Sequence, residues 1–109
     1  MDQIAAGSVA VIFVSRRNDV DAAGYDEMAG AMVALAQQQP GYIGLDSVRD
    51  PDGHGITISY WRDEASARAW HRHADHAAAR QAGRERWYDS WKVIACDVSR
   101  HYSSDGPAA

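Results

Sequence analysis

The chain has 109 residues, of which 46% are hydrophobic and 24% charged, and a formal net charge of −4. That length holds one domain rather than two, and the composition is that of a globular protein, outside the disordered and fibrous ranges. The negative balance argues against a nucleic-acid or anionic-membrane binder, which needs a cationic face to replace counterions, and the lone cysteine, Cys96, leaves no intrachain disulfide and fits a cytoplasmic setting.

Residues 1–8 read as an N-terminal extension without the basic and apolar regions of a signal peptide, and no apolar run approaches membrane length. Val9 to Arg16, "VAVIFVSR", is apolar at odd and even positions alike, which predicts a strand buried on both faces. "NDVDAAG" breaks the pattern, and a helix follows with Tyr25, Met28, Met32, Leu35 and Ala36 on one face, stopped by "QQPG" at 38–41. A second strand, Tyr42 to Arg49, and a third, Gly55 to Trp61, flank "DPDGHG", the clearest hairpin signal in the chain. Asp63 is the expected N-cap of an alanine-rich helix running from Glu64 to about Tyr88, with an interruption near His71 or Gly83. The last strand is read as Trp91 to about Tyr102, leaving 103–109 as a disordered tail after a domain spanning 9–102.

The order βαββαβ predicts an α+β, ferredoxin-like fold: a four-stranded antiparallel sheet with both helices on one face. Two helices cover one side only, yet strand 1 is apolar on both and strand 4 nearly so. An uncovered second face would exceed the few hundred Å² of apolar surface that monomers tolerate. A second copy applied through a two-fold axis is the expected cover, giving a homodimer through the sheet face.

The stretch "SYWRDEASARAWHRHADH" at 59–76 concentrates aromatic rings and histidines. On an unbroken helix Trp70, Ala74, Ala77, Ala78 and Gln81 share the stripe that faces the sheet, with His73 and Arg80 at its flank, His71 off the other edge and His76 turned away. The histidines do not converge and structural or catalytic zinc wants three or four ligands, so no metal site is expected. Trp61, Trp70, Trp87 and Trp91 read first as packing residues, His71 as a surface imidazole and Cys96 as an inert buried thiol. No phosphate-cradling glycine loop, nucleophile elbow or H-E-x-x-H motif is present.

The segments "AVIFVSRR", "QQPGYIGLDSVRD", "GITISYW", "EASARAW", "DHAAARQAGRERWY" and "KVIACDVSRHY" resemble the antibiotic biosynthesis monooxygenase (ABM) superfamily, especially its short heme-degrading monooxygenase-like members. The resemblance implies a dimeric α/β barrel and one of two chemistries: oxygenation of phenolic aromatics without metal or flavin, or heme binding and cleavage. The heme-degrading pattern places a tryptophan at Trp70, but its strand-1 asparagine finds Phe13, Val14 and Ser15, and its axial histidine falls on Arg80, which cannot ligate iron. The expectation is therefore an oxygen-dependent monooxygenase without a resident cofactor, acting on a small aromatic in an apolar pocket between helices and sheet. His76, His73 and Trp70 are its candidate catalytic residues; Ser15, Phe13, Trp61, Arg80 and Trp87 are its candidate substrate contacts. Heme degradation is the enzymatic alternative, and a small-ligand-binding or purely structural homodimer the non-enzymatic one.

Overall fold

The computed structural model describes residues 3–81 and 86–104, with side chains described for 3–74 and 86–104. The elements run β1 (Val9–Arg17), α1 (Ala22–Gln37), β2 (Tyr42–Arg49), β3 (His54–Trp61), α2 (Glu64–Gln81) and β4 (Tyr88–Asp97). The sheet order is β2-β3-β1-β4, with each neighbouring pair antiparallel. The expected ferredoxin-like topology is therefore present.

Local chemistry sets the joints. Asp21, at φ 49°, caps α1 by accepting from the Gly24 N–H, and Asp63 accepts from the Ser66 N–H at 2.8 Å to start α2. That bond holds the Asp63 carboxyl below its usual range. After α1, Gly41 takes a left-handed φ of 83°, where a Cβ would collide with the Ser66 side chain. In the β2–β3 hairpin Asp50 Oδ1 accepts from the N–H groups of Asp52 and His54, and Gly53 turns the chain at φ 99°.

One side of the sheet carries the core. Val9 on β1, Trp61 on β3, Ala36 on α1 and Ala67 on α2 pack together, with Val11, Tyr42 and Trp70 against them. Trp61 is fully buried and donates its indole N–H to Ser59 Oγ at 2.8 Å. The β2–β3 register shifts between Tyr42 and Gly44, which sets Tyr42 opposite Trp61 with ring centroids 5.7 Å apart.

The expected barrel is not what the chain forms. Its sheet is open, with β2 and β4 as separate edges. Four strands rotated by roughly 20–25° apiece make a twisted open sheet, and small closed barrels take about eight. One boundary also differs: β4 is Tyr88–Asp97 rather than the expected Trp91 to about Tyr102. α2 is helical to Gln81 and residues 86–87 are helical, while 82–85, on which the expected interruption near Gly83 falls, lie outside the described residues, as does 105–109 of the expected tail.

The other side of the sheet is apolar and open. Val48 is 71% exposed, and Ile56 and Ile94 are each 42% exposed. Cys96, paired with Ala10, is exposed as well, not buried as expected, because the helices pack on the opposite side.

Candidate functional site

A cavity of about 230 Å³ lies between the helices and the covered side of the sheet. Its apolar walls come from Val11 and Phe13 on β1, Met28 and Met32 on α1, Leu45 on β2 and Trp70 on α2. Strand alternation places the β1 and β2 residues on the helix side, and the one-face spacing of α1 turns its methionines toward them. Trp70 stacks on Trp61 at 5.6 Å between centroids, so the wall is braced by the core. Hydroxyls of Ser47, Thr57 and Ser59 add polar points along β2 and β3.

A polar network gathers at one end. Arg49, the last residue of β2, lines the cavity. One of its terminal nitrogens, Nη2, donates to Ser15 Oγ at 3.0 Å and to the Tyr25 hydroxyl at 3.2 Å, and the other, Nη1, donates to the Gly53 carbonyl. Tyr88 donates to the same Tyr25 hydroxyl at 3.3 Å. Burial, then the bond to Tyr25, push the Tyr88 phenol well above its ordinary range, so it keeps its proton even in mildly alkaline solution. Arg17 lies over the Tyr25 ring, its Cζ 3.9 Å from the centroid.

The position of Tyr88 depends on a break in the ladder. Arg16 faces Ser90 while Arg17 faces Tyr88, so the β1–β4 register slips by one residue and brings Tyr88 to the helix side. Irregularities of this kind re-aim side chains beside binding sites. Tyr25, 9% exposed, then meets Tyr88 and Trp87 edge-on at 5.9 and 6.1 Å. Phe13 meets Tyr88 at 5.2 Å.

The expected site residues are distributed as follows. Trp70 and Phe13 line the cavity. Ser15 is buried behind Arg49 and bonded to it. Trp61 and Trp87 are buried packing residues that stand behind Trp70 and Tyr25. His73 is exposed and does not line the cavity. The side chains of His76 and Arg80 lie outside the described residues. His71, read from sequence as a surface imidazole, is exposed and also lines the cavity, next to Trp70 and Ala74.

Three residues at the polar end were not singled out from sequence: Tyr25 as a hydrogen-bonding group, Arg49 and Tyr88. A signal existed for Arg49, which shares parity with the inward Leu45 and so brings a charge to an apolar face. None existed for Tyr88, whose orientation depends on the slipped register.

Neither of the two metal-bearing possibilities is favoured by the geometry. Among the described residues one group, Asp50, Asp52 and His54, brings ligand atoms within 4.8 Å of one another, but all three are exposed. The oxygen Oδ1 of Asp52 is taken by the His54 ring and backbone N–H. Heme fits the cavity poorly, since about 230 Å³ is below the ~300–1,000 Å³ of pockets for drug-sized ligands. His71 is the one imidazole lining it among the described residues.

Comparisons with known proteins agree with this architecture. The model of the family described as "Antibiotic biosynthesis monooxygenase" matches residues 9–82. The uncharacterized protein YqjZ of Bacillus subtilis is 46% identical over 91 residues, covering 84% of this chain and 79% of YqjZ. SnoaB, a cofactor-independent oxygenase from Streptomyces nogalater, superposes with a TM-score of 0.69 at 16% identity, over 93% of this chain and 100% of that one. PA3566 from Pseudomonas aeruginosa superposes with a TM-score of 0.67 at 18% identity, over 87% and 97%. At such identities the structural likenesses speak for the fold, whereas the family match spans most of the sequence that builds β1 through α2: the chain belongs to the antibiotic biosynthesis monooxygenase family.

Proposed function

We propose that the chain is an oxygenase that takes a compact hydroxylated aromatic into the cavity and oxidises it with molecular oxygen, without a metal or flavin. The observation that carries the reading is a mostly apolar cavity with hydrogen-bonding groups gathered at one end, the lining expected of a small-molecule site, with a volume of about 230 Å³ that suits only a compact ligand, in a chain of this family. The fold is shared with SnoaB, a cofactor-independent oxygenase.

Oxygen reacts slowly with closed-shell molecules, so a substrate oxidised without a cofactor must supply the electrons itself, as the electron-rich anion left when an acidic phenol or enol loses its proton. One atom of dioxygen then replaces both hydrogens of a ring methylene, which becomes a ketone carbonyl, and the other atom leaves with those two hydrogens as water. His71, the cavity-lining imidazole, has the side-chain type that takes a proton near neutral pH. His76 on the same helix is the second imidazole to test. Trp70, Phe13, Met28 and Met32 hold the ring and keep water from it.

The test is oxygen uptake, with an electrode, over a panel of compact phenols and enols that carry an activated ring methylene, in buffer treated with chelator. We expect uptake stoichiometric with product for at least one compound and a fall of about 10²–10⁴-fold in kcat for His71→Gln, the range of general-base contributions. A panel whose members bind in the cavity yet consume no oxygen above the uncatalysed rate would sink the oxygenase reading.

We also propose that a second copy covers the outer face of the sheet, where Val48, Ile56 and Ile94 are exposed together; such a patch is uncommon on monomers. Sedimentation should give twice the chain mass, and a Val48→Lys, Ile94→Lys variant should sediment as one chain. A wild-type protein that is monomeric at high concentration overturns the pairing.

A further inference from the structure

The polar end of the cavity has an excess of donors. Arg49 spends both Nη2 hydrogens on the hydroxyls of Ser15 and Tyr25 and one Nη1 hydrogen on the Gly53 carbonyl. The Tyr25 oxygen already accepts from Arg49 and from Tyr88, so both its lone pairs are engaged and its own proton is left to point at something else. Tyr25 is buried and lines the cavity. Among the described residues no acceptor receives that proton, and a bound molecule would bring one.

Charge points the same way. Arg49 makes no ion pair with a carboxylate among the described residues. The nearest acids in sequence, Asp50 and Asp52, turn their oxygens to the hairpin backbone and to His54. A second guanidinium, Arg17, lies on the Tyr25 ring without lining the cavity, and its buried Nε has no acceptor among the described residues. One cavity-lining guanidinium held against three hydroxyls, with no carboxylate among the described residues that line this cavity, forms a receptor for an acceptor-only, negatively charged group. The backbone also makes room for it: a Cβ at Gly55 would lie 2.5 Å from Arg49 Cζ and 2.7 Å from each terminal nitrogen, so glycine at this position admits the guanidinium.

We infer that the Arg49 end of the cavity is an oxyanion subsite, and that the substrate is a compact aromatic bearing an ionised oxygen, either a carboxylate or a phenolate or enolate. The inference rests on the cavity assigned above as the substrate site and names the chemistry of what enters it. Holding the conjugate base makes a bound phenol more acidic, since each tenfold preference for the anion lowers its pKa by about one unit.

The test reads binding alone and needs no turnover. Three probes are titrated into the full-length protein by calorimetry: benzoate, its neutral isostere benzamide, and 4-nitrophenol across the pH range in which it ionises, with absorbance reporting its protonation state. We expect one of the two acids, as its anion, to bind about ten- to a hundredfold more tightly than the corresponding neutral form, the size of hydrogen bonds to a charged group. Arg49→Gln should abolish the preference and Arg49→Lys should keep part of it. Benzoate preferred over benzamide assigns a carboxylate, and nitrophenolate preferred over nitrophenol assigns a phenolate or enolate. Equal affinity for anions and neutral forms in the wild-type protein overturns the subsite even if Arg49→Gln fails to fold. Anion preference without oxygen uptake in the preceding assay leaves the subsite standing and removes only the oxygenase.

Discussion

Replacing Gly55 by alanine isolates what the Arg49 network contributes. Gly55 is buried on β3, opposite Ser15 on β1 and Arg49 on β2, and its backbone is not left-handed, so alanine meets no dihedral obstacle. The obstacle is steric: the new Cβ would sit 2.5 Å from Arg49 Cζ. A guanidinium is the far end of a flexible side chain and swings away, losing its bonds to Ser15, Tyr25 and the Gly53 carbonyl. Tyr25 keeps Tyr88 as a partner, but Ser15 is only 3% exposed and cannot recruit water in exchange. Leaving it unpaired and losing the charged donor costs about 2–4 kcal/mol, offset by ~0.4–1 kcal/mol from the reduced freedom of the unfolded chain. The net, about 1–3 kcal/mol, lowers Tm by roughly 5–20 °C for a domain of this size. Circular dichroism melts of Gly55→Ala in the wild-type and Arg49→Met backgrounds form a double-mutant cycle. With the guanidinium gone the same alanine should be neutral or slightly stabilising. An equal penalty in both backgrounds, or none in either, would refute the placement of Arg49 over Gly55.

Trp61→Ala removes the largest fully buried side chain and the wall behind Trp70; a loss of about 3–5 kcal/mol should appear as a lower urea midpoint, and Trp61→Phe should lose less. Tyr88 makes stability pH-dependent at the alkaline end. Its folded-state pKa is raised, so its contribution is complete below the unfolded phenol value of about 10 and is lost as pH rises toward the folded value. Chemical denaturation between roughly pH 9 and 11.5 should show a shallower decline for Tyr88→Phe than for wild type, and identical slopes would contradict the burial of that hydroxyl. Trp70→Ala opens the cavity on the α2 side, so it should weaken binding of the aromatic probes about tenfold or more while costing less stability than Trp61→Ala; paired calorimetry and melts check both.

Much of the architecture was legible in the order of residues. The "DPDGHG" hairpin, the Asp63 cap and the "QQPG" stop are local devices whose chemistry acts within a few residues, and each lies where the pattern placed it. The apolar residues on both parities of β1, Val9 to Val14, likewise foretold a sheet with a greasy second side, and Val48, Ile56 and Ile94 are exposed there. Trp70, which helical spacing put on the sheet-facing stripe of α2, and Phe13, which the family resemblance offered as a substrate contact, both line the cavity.

What tertiary structure alone decided is the register, and with it the polar end of the site. A slip of one residue between β1 and β4 brings Tyr88 to the helix side, and another between β2 and β3 brings Tyr42 onto Trp61. Strand side chains alternate with period two, so a single-residue offset reverses a face without changing any local preference. The Arg49 network joins β1, α1, β2, the hairpin and β4, segments as far apart as Ser15 and Tyr88. Composition and spacing specify which residues can donate and accept hydrogen bonds, but only the folded sheet, by fixing which strands lie side by side, determines that these donors meet around one cavity.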